Sequence, residues 1–187
     1  WKQRALAESR LTAALTALMA LARSGEASVM PAVLERLREF SLKQLNISQK
    51  LIALHTYSLC TRSQGKRERA LLSTAADHLD PFYPDRSIMT QGAAHVNRAL
   101  SQLLSQLEAP SFVPKTLALL DETTDQKQQL QFLFALRAAK KGWTLGLREA
   151  YFKALQQSRY FQGGEGMPKF IEQIHRDAVA SLSDAER

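Results

Sequence analysis

The residues able to do chemistry are few, and their spacing is poor. The four histidines are His55, His78, His95 and His175. No two of them stand three or four residues apart, so no helix carries a zinc-type pair. His55 falls on an apolar stripe and reads as a hydrogen-bonded, half-buried side chain. Cys60 is the single cysteine, which excludes an internal disulfide. It is followed by Thr61-Arg62-Ser63, so it is not the Cys-x-x-Cys-His of haem attachment. A Ser-His-Asp or Cys-His site would have to be assembled from distant places, and no G-x-S-x-G elbow supports one. The paired carboxylates read structurally: Asp121 and Glu122 open onto a turn, and Asp184 and Glu186 belong to a helix start. Gly163-Gly164-Glu165-Gly166 could cradle a phosphate before a helix. It lacks the Gly-Lys-Ser/Thr ending of a P-loop and follows a helix, so it reads as a helix stop. No catalytic residue, metal ligand, cofactor site or small-molecule substrate is expected.

The basic residues are better organised. Lys and Arg number 25 against 18 Asp and Glu, a net charge of +7. Arg62, Lys66, Arg67 and Arg69 surround one turn, and Lys140, Lys141 and Arg148 surround another. If helix pairs stack in register, both turns share one edge, which Arg23 joins and Glu108 interrupts. This edge is the candidate contact surface for a neighbouring domain, another protein, an anionic polysaccharide or a nucleic acid. The plainer reading is compensation of helix dipoles together with solubility. Aromatic residues are not interleaved with these charges, which counts against stacking of bases.

The elements that would position these groups are helices. Hydrophobic residues make up 45% of the 187, and Gly and Pro number only eight and six. No alternating β-branched run is present, and no apolar run approaches the roughly 18 residues of a membrane span. The chain starts at Trp1 without a signal-peptide pattern, and Ser183 and Glu186 form a capping box with no helix after it. A segment of a longer chain is therefore expected.

The organising stretch runs from Thr123 to Gly164. Thr123 and Gln126 have capping-box spacing. Leu130, Leu133 and Phe134 follow on one face, and Arg137, Lys140 and Lys141 crowd the last turn. Gly142 ends the helix in the left-handed conformation. Thr144 caps the return helix, whose stripe is Leu147, Tyr151 and Leu155, and Gly163-Gly164 closes it. Trp143 plugs a seam between helix pairs and needs an acceptor for its indole N–H.

Upstream, Leu11, Ala14, Leu15, Leu18 and Ala22 form a stripe ended by Ser24-Gly25. Ser28 caps a helix with Pro31 in its first turn and Met30, Val33, Leu34 and Leu37 inward. Ser48 starts a third helix facing inward through Leu51, Ile52, His55 and Leu59, and Gly65 stops it. A fourth runs from about Lys66 to Leu79, broken by Asp80-Pro81. The loop from Pro81 to Asp85 carries two aromatics and is expected to pack down. A long helix follows from about Ser87 to Leu107 with Val96, Leu100, Leu103, Leu104 and Leu107 on one face. Asn97 and Arg98 lie within it; Asn97, poor in helices, is expected to hydrogen-bond the loop near Pro81 to Pro84. Ser111 caps a short helix with Val113, Leu117 and Leu120 inward. A last helix presents Phe170, Ile171, Ile174 and Ala178. Pairs thus begin near residues 10, 48, 87 and 124, about 35 to 40 apart, the period of HEAT or armadillo repeats. The expectation is an all-α, single-domain, right-handed α-solenoid of four to five hairpins; a closed helical bundle is the alternative.

Several phrases carry a family resemblance. They are Ala17-Leu-Met-Ala-Leu-Ala-Arg23, Leu79-Asp-Pro-Phe-Tyr-Pro84, Asn97-Arg98 with Leu100, Leu103 and Leu104, Leu107-Glu-Ala-Pro110, Lys115-Thr-Leu-Ala-Leu-Leu120, Leu136-Arg137, Gly142-Trp-Thr144, Arg148 with Tyr151-Phe152, and Gly163-Gly164 before Phe170-Ile171. In this order they resemble the helical segment of large exported multidomain proteins of planctomycete-type bacteria. The resemblance implies a dehydrogenase-related propeller upstream and a c-type haem domain downstream. It also implies a periplasmic or otherwise exported setting near a redox or carbohydrate-related system, with electron transfer carried by the downstream haem domain; the residues themselves point to a non-catalytic scaffold between domains. It assigns no catalytic residue here, and Glu165-Gly166-Met167 is less hydroxyl-rich than that family's loop. The alternative function is polyanion or nucleic-acid binding by a basic solenoid, including the HEAT-like DNA glycosylase type.

Overall fold

The computed structural model describes residues 1–62, 69–86, 91–183 and 186. Among them the chain is all-helical, with no strand. The α-helices are α1 (Lys2–Leu6), α2 (Leu11–Arg23), α3 (Met30–Arg38), α4 (Ile47–Arg62), α5 (Arg69–Leu79), α6 (Gln91–Gln106), α7 (Phe112–Glu122), α8 (Gln126–Leu136), α9 (Leu145–Gln157) and α10 (Gly166–Ala180). The chain divides into two compact units, Trp1–Leu103 and Leu104–Arg187.

In the first unit α2 packs along α4, and α3 touches α2, α4 and α5, with α1 against α2. The stripe of α2 is buried at Ala14, Leu15, Leu18, Leu21 and Ala22. Each large aliphatic side chain taken from water contributes about 1.5–3 kcal/mol. Gly25, at φ +71°, makes the left-handed turn that ends α2. The start of α3 differs from expectation. Ser28 sits in a 3-10 turn, Ala27–Val29, and its hydroxyl donates to Glu26 instead of capping a helix.

Helix α4 also departs from the sequence reading. Its buried face is Lys50, Ala53, Leu54, Thr56, Tyr57 and Cys60, while His55 is exposed and Leu51, Ile52 and Leu59 are half-buried. The two sets lie on opposite sides of the helix at 100° per residue. Apolar residues run all round it, so periodicity alone fits either side. Its start is secured by Asn46 and Gln49, whose side chains each accept the other's backbone N–H at 3.0 Å. That is a capping box one position pair earlier than Ser48. Gly65 and the expected helix start at Lys66 lie outside the described residues, as does Ser87.

The loop after α5 begins with a 3-10 turn, Asp80–Phe82, and reaches a cis Tyr83–Pro84 peptide. Tyr83 is 2% exposed, so the loop packs down. Asn97 clamps its end: the amide oxygen accepts from Asp85 N at 2.7 Å, and Nδ2 donates to Asp85 O at 3.1 Å. Val96, Leu100, Leu103, Leu104 and Leu107 are all buried.

In the second unit α7 meets both α8 and α9, and α8 meets α9 and α10. The cap of α8 is Asp125, not Thr123. Its Oδ1 accepts from Lys127 N at 2.8 Å and Gln128 N at 3.2 Å. Gln126 instead accepts from Gln162 N at 3.0 Å. Helix α8 ends at Leu136, so Lys140 and Lys141 lie in the following turn rather than in a last helical turn. Gly142 there has φ +84°, and a Cβ on it would meet Pro110 O at 2.2 Å. Thr144 caps α9 by accepting from Leu147 N at 3.3 Å. Tyr151, fully buried, donates its hydroxyl to Leu133 O at 2.9 Å. Helix α9 ends at Gln157 and continues as a 3-10 turn, Ser158–Tyr160. Gly163 and Gly164 therefore lie in the next loop, and neither has a positive φ. Ile171, Ile174 and Ala178 are buried on α10, whereas Phe170 is 40% exposed and stacks on Phe134.

Candidate contact surface

The basic groups are placed by helix ends. In the first unit Arg23 closes α2, Arg62 closes α4, and both are exposed. Lys66, Arg67 and the side chain of Arg69 lie outside the described residues. In the second unit Lys140 and Lys141 stand exposed in the turn before α9. Their ammonium groups lie 3.8 and 3.1 Å from the carboxylate of Glu108. Glu108 itself holds a left-handed φ of +54°. Such exposed pairs contribute at most about 1 kcal/mol, so the lysines remain available to a partner.

Arg148 does not belong to a surface. It is 6% exposed, and its guanidinium lies 4.0 Å over the Trp143 ring. Its Nε donates to Glu186 at 2.8 Å and Nη1 to Ser181 Oγ at 3.3 Å. Arg148 is the fourth residue of α9. Glu186 also accepts from Ser183 N and Ser183 Oγ at 2.9 and 2.7 Å. Arg148 first, then Ser183, lower the Glu186 carboxyl to about 2. Trp143 donates its indole N–H to Ala139 O at 2.8 Å and tilts against Tyr151. A second guanidinium, Arg137, lies 3.4 Å over Phe134 and reaches Asp177 at 2.9 Å. These aromatic–arginine contacts give the second unit its polar knots.

The groups that could have been reactive are separated or protected. Cys60 is fully buried, and desolvation pushes its thiol up to about 12, which keeps it protonated. Tyr57 and His78 stack at 6.1 Å between ring centroids. Burial raises the Tyr57 phenol and lowers the His78 imidazole, so both stay neutral near pH 7. His95 is exposed, and His175 meets the edge of Phe152. Among the described residues no three His, Cys, Asp or Glu side chains could hold a metal ion. No helix among them is long and apolar enough to cross a membrane.

One buried charge pair was invisible in the sequence. Lys50 is 3% exposed and paired at 2.5 Å with Asp85, which is 11% exposed. Its only signal was its place three, four and seven residues before Ala53, Leu54 and Tyr57, the face that is buried. No protein-family model matches the chain, and no curated protein or solved structure matches it.

Proposed function

We propose that this chain is a non-catalytic scaffold, a right-handed α-solenoid of HEAT-like hairpins that joins and orients domains of a larger protein. One observation carries the reading. In the first unit α2 lies on α4 and α3 on α5, and in the second α7 lies on α9 and α8 on α10. In each unit these helices thus meet the second one along. That pattern is expected when two-helix repeats stack on their neighbours and contact little else. The sequence resemblance supplies the setting: an exported, periplasmic protein in which a neighbouring domain carries c-type haem. The exposed Lys140 and Lys141 are the groups offered to that neighbour. Cross-linking of the full-length parent through lysine amines tests the linking role. Cross-links should join this segment to an adjacent domain, and their absence from every lysine of the segment would refute it.

A second reading, binding of a nucleic acid or another polyanion, is favoured by the +7 charge and the exposure of Arg23 and Arg62. Phosphate contacts make such binding steeply salt-dependent. Retention on heparin past physiological salt supports it; elution below that removes it.

A further inference from the structure

His78, in the last turn of α5, ties three elements of the first unit together. Its ring stacks on Tyr57 of α4, with 6.1 Å between centroids and 26° between planes. It also tilts against Phe82, in the 3-10 turn that opens the 80–86 loop, at 5.6 Å and 58°. One ring nitrogen bonds the backbone of Phe40, just past α3. The other, Nε2, is buried and has no hydrogen-bond partner among the described residues. The Phe40 bond is therefore made by Nδ1, and it favours the proton on that nitrogen.

This setting suits a neutral imidazole and not an imidazolium. A second proton would sit on Nε2, where nothing accepts it, and a buried charged donor without a partner is costly. From α3 the charge of Arg38 acts on both His78 and Tyr57 and opposes another cation. Glu35 of α3 shares a small cavity with Arg38 and Tyr57, and Asp77 and Asp80 flank His78 along the chain, but none of the three bonds the ring. Glu39, beside Phe40, is held by Arg36. From α4 come Tyr57, whose buried hydroxyl also lacks a partner, and Cys60, both neutral. The two aromatic faces attract a cation only weakly.

We infer that His78 is an acid-released latch on the turn that opens the 80–86 loop: the neutral ring holds Phe82 against α4 and α5, and the protonated ring lets it lift. The far end of the loop is held separately, by Asn97 on both backbone polar groups of Asp85, so release is confined to the 80–82 turn and the rings around it. Burial first, then Arg38, lower the His78 midpoint below its ordinary 6.5. A base of that kind takes its proton first in the open state. The latch is therefore at full strength above pH 6.5 and weakens as pH falls from there to the lower folded midpoint. The inference goes beyond the scaffold reading and does not depend on it.

An NMR titration of the full chain from neutral to mildly acid pH, read on the rings of His78, Tyr57 and Phe82, tests the latch. His78 should titrate below 6.5, and the Phe82 ring should move with the same midpoint. His78→Asn keeps a donor where Nδ1 stands and does not titrate, so the Phe82 shift should vanish in it. The urea unfolding constant of the native chain relative to that variant should rise by up to about tenfold per pH unit below 6.5. The other three histidines are common to both chains and cancel. If His78→Asn fails to fold, the native titration of His78 and Phe82 decides. A His78 midpoint at or above 6.5, a Phe82 ring that ignores the His78 titration, or the same pH dependence of unfolding in both chains overturns the inference.

Discussion

Gly142→Ala separates two physical terms that glycine substitutions usually mix. A left-handed φ costs an alanine about 1–2 kcal/mol relative to glycine. Against that, alanine restricts the unfolded chain and returns about 0.4–1 kcal/mol. Gly25, at φ +71° with nothing within 4 Å of a new Cβ, meets these terms alone. Gly25→Ala should therefore lose only about 0–1.6 kcal/mol. Gly142, at φ +84°, meets them and also places its Cβ 2.2 Å from the Pro110 carbonyl oxygen. That atom is backbone, in a residue whose φ is fixed by its ring, so it cannot swing aside like a side-chain end. Displacing it adds about 1–3 kcal/mol, the usual range for overpacking. With a urea slope of about 2 kcal/mol per molar, the midpoint should fall by about 0.5–2.3 M. Trp143 fluorescence reports the loss, because its half-buried ring sits next to the substituted residue while Trp1 is already exposed. Circular dichroism follows Gly25→Ala under the same conditions. Equal losses in the two variants would refute the steric reasoning.

Other perturbations test other parts of the fold. Glu186 has its carboxyl lowered from 4.5 to about 2, so its bonds to Arg148 and Ser183 are complete above pH 4.5 and fade as pH falls toward 2. An NMR titration of its carboxylate carbon should show that low midpoint, and a midpoint near 4.5 would contradict the pairing. Cys60 should resist an aromatic disulfide reagent at pH 8 in the native chain and react on unfolding; rapid native reaction would mean that the thiol is neither buried nor raised. Asp125→Ala should lose about 1 kcal/mol in urea unfolding and Thr123→Ala clearly less. The reverse order would restore Thr123 as the cap.

Legibility varied with the physics involved. The face of α6 could be read because polar residues break the stripe of Val96, Leu100, Leu103 and Leu104 on every other side. Helix α4 could not, because Leu51, Ile52 and Leu59 match Ala53, Leu54 and Tyr57 in apolarity and only the neighbours choose between them. Local signals were legible where backbone geometry dictates residue type, as at Gly25, Gly142 and Thr144. They failed where two candidates compete within three residues, as Thr123 and Asp125 do, and the nearer carboxylate wins two N–H groups. Charge was the least legible feature. A sequence shows Arg148 as one more cation, and only the return of Glu186 to α9 turns it inward. Lys50 and Asp85 stand 35 residues apart, so nothing local joins them.

Glu108 combines an unfavourable backbone with a favourable charge. Its left-handed φ asks for glycine, while its carboxylate mutes the two ammonium groups of Lys140 and Lys141. Glu108→Gly should relieve the one and release the other, with stability held within about 1 kcal/mol. The turn would then show its full positive charge on an undisturbed fold. A partner that reads this turn by charge should bind that variant more tightly, and one that reads it by shape should not notice.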